Sequence, residues 1–465
     1  MVLSMNKKRV SAEDYLNSLN DGREIYLQGE RINNIAEHAK LKESACFFAN
    51  LFQMIHGDPG NFIYEPSLER SICLHYYKPR TREELQLKTD YFKKVACYGG
   101  GFLARTPDFL ASLITSWDAA AEQFGSAEQN VKEFYRDCID RNLCLTHAIS
   151  DPPTDRYLNK KNALRKVASH SDGIVVSGVK MLATYAPYSD EIVVYPYKPV
   201  TEKERALAFS IPLNTAGLKL ICRPTHSSNH SALASKADEM DCLCIFDEVF
   251  VPANRVFIDG DIELANSIRE RTHMVNFLWH QGAVRVEVLA ETMLAITSQI
   301  AEYSGRDNIQ RVTEMLGQLA IQHQCMSALN HMAIKNSELS LDGVHIPALV
   351  DLSAAMTASF DYFTYALSCL RTIGASDLTS VPDELTIQCS PELSDYYGTE
   401  DTNSCYTELL RLAHDICCGD FGGRQQLYEE FYLGPQPLLK SGHFERVKPF
   451  IATTSLEQLI GSLKQ

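Results

Sequence analysis

The sequence predicts a mainly helical chain interrupted by one compact β unit. Three observations carry this prediction. Apolar residues recur near helical spacing through much of residues 10–140. Between about 146 and 265, short β-branched and aromatic runs alternate with turn signals and have no helices between them. From Ile262 the helical period returns and lasts. The boundaries fall at 1–145 for a helical domain, 146–265 for the β domain and 266–465 for a helical bundle with a tail. Strands without intervening helices favour an antiparallel barrel or sandwich over a doubly wound sheet.

In chain order, Ser11-Ala-Glu-Asp14 is close to a capping box and predicts a helix start. Gly22 to Gly29 is a short alternating run between glycines, the pattern of a small hairpin arm. Helical periods cover 32–54, 82–96, 107–124 and 127–145. Strand candidates begin at Ile174, Glu191, Ala206, Leu218 and Cys242, with turn signals at Asp172-Gly173, Asn214–Gly217 and Asp238–Asp241. Four long helices are expected over 279–303, 307–339, 347–372 and 402–418, and a loop over 377–397, which contains prolines and acids.

Composition narrows the function classes. A formal net charge of −15 argues against nucleic acid, whose phosphates demand a basic face. The N-terminus has no apolar signal core, and no apolar run approaches the ~20 residues of a membrane span. A soluble, cytoplasmic protein without membrane partners is expected. The 14 cysteines are scattered, many in apolar runs, and no Cys-x-x-Cys pair exists, so free thiols and no metal site are expected.

Several polar groups stand out. Gly99-Gly-Gly-Phe-Leu-Ala104 superficially fits a dinucleotide fingerprint, but no βαβ unit surrounds it. It reads as a glycine-lined turn before a helix near Pro107, with Thr106 or Asp108 supporting the first turn and Arg105 at the entrance. On local sequence alone, Arg105 reads more readily as a surface ion-pair partner. His147 precedes Asp151-Pro-Pro-Thr-Asp-Arg156; it suits contact with a phenol or peroxide, or satisfies backbone groups at a helix end. Pro152-Pro153 stiffens that loop and would fix Asp155 and Arg156. Thr184 exposes a hydroxyl at a strand end, and His280, Gln281 and Arg285 share one helix face, where a polar core network is the simpler reading.

Five segments occur in one order: Gly22–Arg31, Arg105-Thr-Pro-Asp-Phe109, Thr146–Arg156, Asp172–Thr184, and Asp238–Asp241 followed by Phe246–Pro252 and Arg255. This order resembles the oxygenase component of 4-hydroxyphenylacetate 3-monooxygenase, in the family shared with 4-hydroxybutyryl-CoA dehydratase. The resemblance implies an acyl-CoA-dehydrogenase-like fold with a central β-barrel, usually in a homotetramer. It implies a cofactor, FAD, supplied reduced by a separate NAD(P)H:flavin reductase. Reaction with O2 to a C4a-hydroperoxide then leads to oxygen transfer ortho to a phenol hydroxyl, in a pocket kept dry. By resemblance, Arg105 and His147 are the catalytic, phenol- and peroxide-contacting residues. Pro153, Thr154, Asp155, Arg156 and Thr184 match the flavin-contacting loop and strand end, with His147 beside them; Gly422, Gly423, Arg424 and Gln425 resemble the C-terminal flavin segment.

One departure bears on substrate. The family generally has Tyr where this chain has Phe109, which places a less polar ring on the expected substrate wall. The loop 197–205, with Lys198, Lys203 and Arg205, falls where the family closes over the substrate's far end, and its charges suit a carboxylate. The alternative is a CoA-thioester dehydratase or isomerase, whose branch needs an iron–sulfur cluster. Here Glu287 stands seven residues after His280, and Cys97 is solitary before Arg105, so that ligand set is incomplete.

Overall fold

The computed structural model describes residues 9–153, 162–226, 233–340, 342–397, 403–431, 434–451 and 453–464. The N-terminal region opens with α1 (Ala12–Ser18), where Ser11 and Asp14 form the expected capping box. It continues through β1 (Glu24–Leu27), β2 (Glu30–Ile32), α2 (Lys42–Gly57), β3 (Phe62–Glu65), β4 (Arg70–Cys73), α3 (Arg82–Tyr98), α4 (Pro107–Ala119) and α5 (Glu128–Arg141). A hairpin does form where an arm was expected, but only β1 lies between the glycines; Gly29 is in the turn and β2 follows it. It is not free-standing: β1 pairs in parallel with a strand of the middle region, so N-terminal residues extend that region's sheet.

The middle region holds β5 (Leu145–Ala148), β6 (Arg165–His170), β7 (Gly173–Thr184), β8 (Glu191–Val194), β9 (Leu207–Pro212), β10 (Leu218–Cys222), β11 (Asp241–Pro252) and β12 (Val256–Asp259). The strands make a six-stranded sheet, β2-β1-β10-β11-β7-β6, and a four-stranded sheet, β12-β9-β8-β5. The implied central barrel is therefore corrected: the described strands form two sheets and do not close. An isolated bridge from Ser150 to Met181 ties the sheets at one corner. The chain then meets Pro152 and Pro153, which have no N–H to carry a ladder further.

The C-terminal region comprises α6 (Ile262–Arg271), α7 (Met274–Tyr303), α8 (Gln310–Lys335) and α9 (Leu349–Gly374), with a two-residue hairpin, β13 (Glu338–Leu339) and β14 (His345–Ile346), between the last two. Where a loop was expected stand three short helices, α10 (Asp377–Ser380), α11 (Glu384–Cys389) and α12 (Pro391–Tyr397). The acids and prolines there start helices: the Asp383 side chain accepts the Thr386 N–H at 2.9 Å. Then follow α13 (Asn403–Cys417), α14 (Asp420–Phe431), α15 (Gln436–Val447) and α16 (Thr454–Leu463). The long α7 packs against α3, α4, α8 and α9, so it anchors the bundle to the N-terminal helices. Among the described residues, no helix is long and apolar enough to cross a membrane.

Candidate active site

A cavity of about 750 Å³ opens where the ends of β5, β7 and β11 meet α14. Its polar wall includes Arg105, His147, Thr184, Lys198, Asp241 and Arg424, and its apolar wall includes Ile149, Leu182, Leu427 and Phe431.

Arg105 arrives by a loop that only glycine permits. Gly101 has φ +76°, and a Cβ there would stand 2.4 Å from the Leu289 backbone nitrogen of α7. The Arg285 guanidinium donates to the Gly101 carbonyl at 2.9 Å and forms a two-pronged ion pair with Glu429 at 2.7 and 2.8 Å. Past the glycines, the Ala104 and Arg105 N–H groups donate to one carboxylate oxygen of Glu239, at 2.9 and 2.6 Å. Loop and cavity wall are thus fastened together. The Arg105 guanidinium lies over the Phe109 ring, 4.1 Å from its centroid, and 5.6 Å from that of Tyr428. Thr106 stands at the helix start without a side-chain capping bond. Asp108 is buried and accepts from Gln281 at 3.1 Å; burial pushes its carboxyl up to about 6.

Phe109 does not line the cavity. It is a platform beneath Arg105 and stands edge-on to His147, with ring centroids 6.0 Å apart. Phe109→Leu should therefore loosen the guanidinium without changing the wall. If the stacking is worth ~1 kcal/mol, KM for a phenol should rise about fivefold at little change in kcat. Steady-state kinetics on the purified variant check this, and an unchanged KM would remove the platform role.

His147 sits on β5, a strand buried along its length. Its Nδ1 is 3.0 Å from the Tyr195 hydroxyl. Burial, with the Arg105 guanidinium nearby, holds its imidazole well below the usual histidine range, so the ring is neutral.

Thr184 ends β7, and the backbone bends sharply around it: Leu182, Tyr185 and Met240 have φ of 61°, 71° and 31°. Such conformations cost about 1–3 kcal/mol each and persist where neighbours enforce them. Here the Tyr185 N–H donates to the Met240 carbonyl at 3.0 Å. The bend sets the Thr184 hydroxyl 2.6 Å from Asp241. Asp241 also accepts from Arg424 at 3.0 and 3.1 Å and from Arg223 at 2.9 Å. These cations hold its carboxyl well below the usual range although burial opposes them.

Of the segment Gly422–Gln425, only Arg424 reaches the cavity wall. A Cβ on Gly422 would stand 2.0 Å from the Ile416 carbonyl oxygen, so that glycine serves close packing, while Gly423 has open space around it. Gln425 donates to Phe102 at 3.2 Å and to Glu429 at 2.8 Å, inside the core. Pro152 lines the cavity and Pro153 is exposed beside it; Thr154, Asp155 and Arg156 lie outside the described residues. Lys198 has no ion pair among the described residues, whereas Lys180 and Arg205 both pair with Asp151. His280, bonded to Thr89 at 2.8 Å, Gln281, bonded to Asp108 at 3.1 Å, and Arg285, paired with Glu429, are buried in separate polar contacts of the core. Glu287 accepts from Asn330 at 2.6 Å and pairs with Lys93 at 3.3 Å. The sequence reading missed Tyr195, Glu239, Asp241 and Tyr428 as site-building residues. Asp238–Asp241 looked like a turn signal, and its acids find their partners far away in sequence.

Both halves of the chain match one family's sequence models: 4-hydroxyphenylacetate 3-hydroxylase N terminal over residues 11–258 and C terminal over 265–448. The chain belongs to the 4-hydroxyphenylacetate 3-hydroxylase family. A 4-hydroxyphenylacetate 3-monooxygenase oxygenase component of Thermus thermophilus is 29% identical over 88% of each chain. The crystal structure of such an oxygenase component (HpaB), complexed with FAD and 4-hydroxyphenylacetate, superposes with a TM-score of 0.88 at 26% identity, covering 97% of this chain and 98% of that one. An archaeal 4-hydroxybutyryl-CoA dehydratase shares the fold at TM-score 0.81 and 17% identity, over 93% and 91% of the two chains. Family membership thus falls on the hydroxylase side, with the dehydratase related through fold.

Proposed function

We propose that this chain is the oxygenase component of a two-component flavin monooxygenase, which hydroxylates a phenol ortho to its hydroxyl using O2 and reduced FAD from a separate reductase. The observation that carries this reading is one cavity in which Arg105 and His147 meet Thr184 and Arg424, in a chain of the hydroxylase family. The cavity volume lies in the ~300–1,000 Å³ range of small-molecule sites. Its lining suits a flavin: the Arg424 guanidinium as a donor and apolar Leu427 and Phe431 for the ring, beside the Pro152-Pro153 turn. When bound, the reduced flavin and O2 supply the oxygen atom and the electrons.

The protein's share is binding, orientation and exclusion of water. Arg105 provides the single positive charge against the phenol oxygen, which gains electron density as the ring reacts. Neutral His147 adds a polar contact without a second charge. Ile149, Leu182, Leu427 and Phe431 give the cavity an apolar wall, which a bound flavin would cover so that water is kept from the reacting atoms. Lys198 meets an acidic group at the far end, so the substrate is a phenolic acid, a tyrosine-derived compound or another natural-product phenol bearing an anion. The assembly is a cytoplasmic homotetramer; exposed apolar side chains on the last two helices, among them Leu438, Phe444, Leu456 and Leu463, support contact between subunits.

The protein should bind reduced FAD more tightly than oxidised FAD and hold no flavin tightly after purification. Anaerobic titrations of both redox forms check this, and equal affinities would count against a diffusible-flavin oxygenase. A panel of phenols with reduced FAD under air, read by mass spectrometry for catechols, identifies the substrate class.

A further inference from the structure

Behind the cavity, His147 and Tyr195 form a pair that the family resemblance does not assign. Strand β5 runs parallel to β8 with His147 opposite Val193, and Tyr195 stands two residues beyond Val193. Alternation along an extended chain puts residues two apart on one face, so the register itself brings imidazole and phenol together. The Nδ1 to hydroxyl distance is 3.0 Å. Tyr195 is buried and wedged by Trp117, with ring centroids 5.8 Å apart and planes 74° apart. His147 lines the cavity and Tyr195 does not.

The direction of this hydrogen bond follows from counting partners. A phenol hydroxyl carries one hydrogen that needs an acceptor, and burying it unpaired is costly. Among the described residues, the Tyr195 hydroxyl has no hydrogen-bond partner besides His147 Nδ1. If Nδ1 carried the proton, it would donate to the tyrosine oxygen and the tyrosine hydrogen would be stranded. If Tyr195 donates, both groups are satisfied, and the remaining imidazole hydrogen sits on Nε2. That nitrogen likewise has no partner among the described residues, so it is the atom left for the cavity. Burial pushes the Tyr195 phenol up to about 12, so its hydrogen stays in place at neutral pH.

We propose that Tyr195 is a positioning residue: it donates to His147 Nδ1, fixes the imidazole as its Nε2–H tautomer, and makes His147 a hydrogen-bond donor, not a base, toward the substrate's phenol oxygen. The tautomer assignment is independent of the hydroxylase reading; its consequence for substrate rests on that reading. In this family member the pair has added weight, because Phe109 brings no hydroxyl of its own to the group around His147.

The decisive test is nitrogen NMR of the full chain labelled with ¹⁵N at its 14 histidines, with the His147 signals assigned by their loss in His147→Gln. The wild type should show Nδ1 as an unprotonated, hydrogen-bonded nitrogen and Nε2 as protonated. Protonated Nδ1 would overturn the proposal even if the protein hydroxylates phenols normally. Tyr195→Phe keeps the ring against Trp117 and removes only the hydroxyl. It should move Nδ1 to the position of an unbonded nitrogen and raise KM for the phenol about threefold to tenfold, the worth of one hydrogen bond. It should also divert reduced flavin to hydrogen peroxide, while affinity for reduced FAD stays unchanged. Unchanged KM and product yield in this variant would overturn the positioning role. The wild-type spectrum decides the tautomer even if Tyr195→Phe does not fold. If no phenol is hydroxylated by any form, the functional reading fails while the tautomer result stands on its own.

Discussion

Asp241→Asn should destabilise the protein and abolish its binding of reduced FAD. The carboxylate is the meeting point of two cavity-lining residues, Thr184 at the end of β7 and Arg424 on α14, and of Arg223 just past β10. One of its oxygens receives both an Arg424 nitrogen and the Arg223 Nε, at 3.1 and 2.9 Å. In asparagine, that oxygen or its twin becomes an NH2 group aimed at a guanidinium, and two largely buried cations lose one of their counter-charges, leaving Arg223 to Asp238 and Arg424 to Glu239 at 3.7 Å. Breaking such a pair on one side costs roughly 3–5 kcal/mol. Thermal unfolding should therefore shift down by several degrees, and the shift should depend on pH. The folded carboxyl lies well below its unfolded value, so its contribution is fully present above about pH 4 and is lost as pH falls further. The difference between wild type and variant should thus be largest near neutrality and shrink in acid. A variant that melts like the wild type at pH 7 would show that Asp241 does not hold the site together. Normal flavin affinity despite a lowered Tm would separate the carboxylate's structural part from any role in the cavity.

This carboxylate also marks where reading the sequence stops. Elements with a strong local period were legible: α3 was expected over 82–96 and runs Arg82–Tyr98, and all five strand candidates form strands. The glycine run was legible too, because a turn before Pro107 needs nothing beyond local chemistry. Closure of the β unit was not. Periodicity reports that a segment is extended, while barrel or paired sheets depends on which edges find partners, and here β1 from the N-terminal region takes one edge. The stretch 377–397 was misread for the opposite reason: its helices are one or two turns long, too short for a period to register. In the site, Arg105, His147, Thr184 and Arg424 were legible through family resemblance, and they do line one cavity. Their supports were not, because Glu239 holds the backbone of Arg105 134 residues away and Asp241 holds Arg424 183 residues away. Phe109 shows the converse: its neighbour Arg105 was found, but four residues of spacing could not say that the ring lies under the guanidinium, outside the cavity lining.

His147→Ala should leave the fold intact and sharply lower product formation while reduced flavin is still consumed, with hydrogen peroxide released in its place. The side chain is 4% exposed, so its removal costs something. The loss is contained, because the space created adjoins the existing cavity and water can enter to meet the Tyr195 hydroxyl left behind. Even if no water reached that hydroxyl, the penalty would be about 1–3 kcal/mol, too little to unfold a chain of this size. The effect on chemistry should be larger. Productive transfer needs the phenol held against the reacting oxygen in a dry pocket, and the variant loses a polar contact and admits water at the same point. We expect the ratio of hydroxylated product to oxygen consumed to fall by ten- to a hundredfold, the lower part of the range for a misplaced catalytic contact. His147→Asn, which retains a short N–H donor, should recover part of this ratio without restoring the bond to Tyr195. Oxygen uptake measured beside product and peroxide yields reads all three quantities in one assay. Equal product yields in wild type and His147→Ala would return His147 to a structural place at the junction of β5 and the Pro152-Pro153 turn. The phenol would then be held by Arg105 alone.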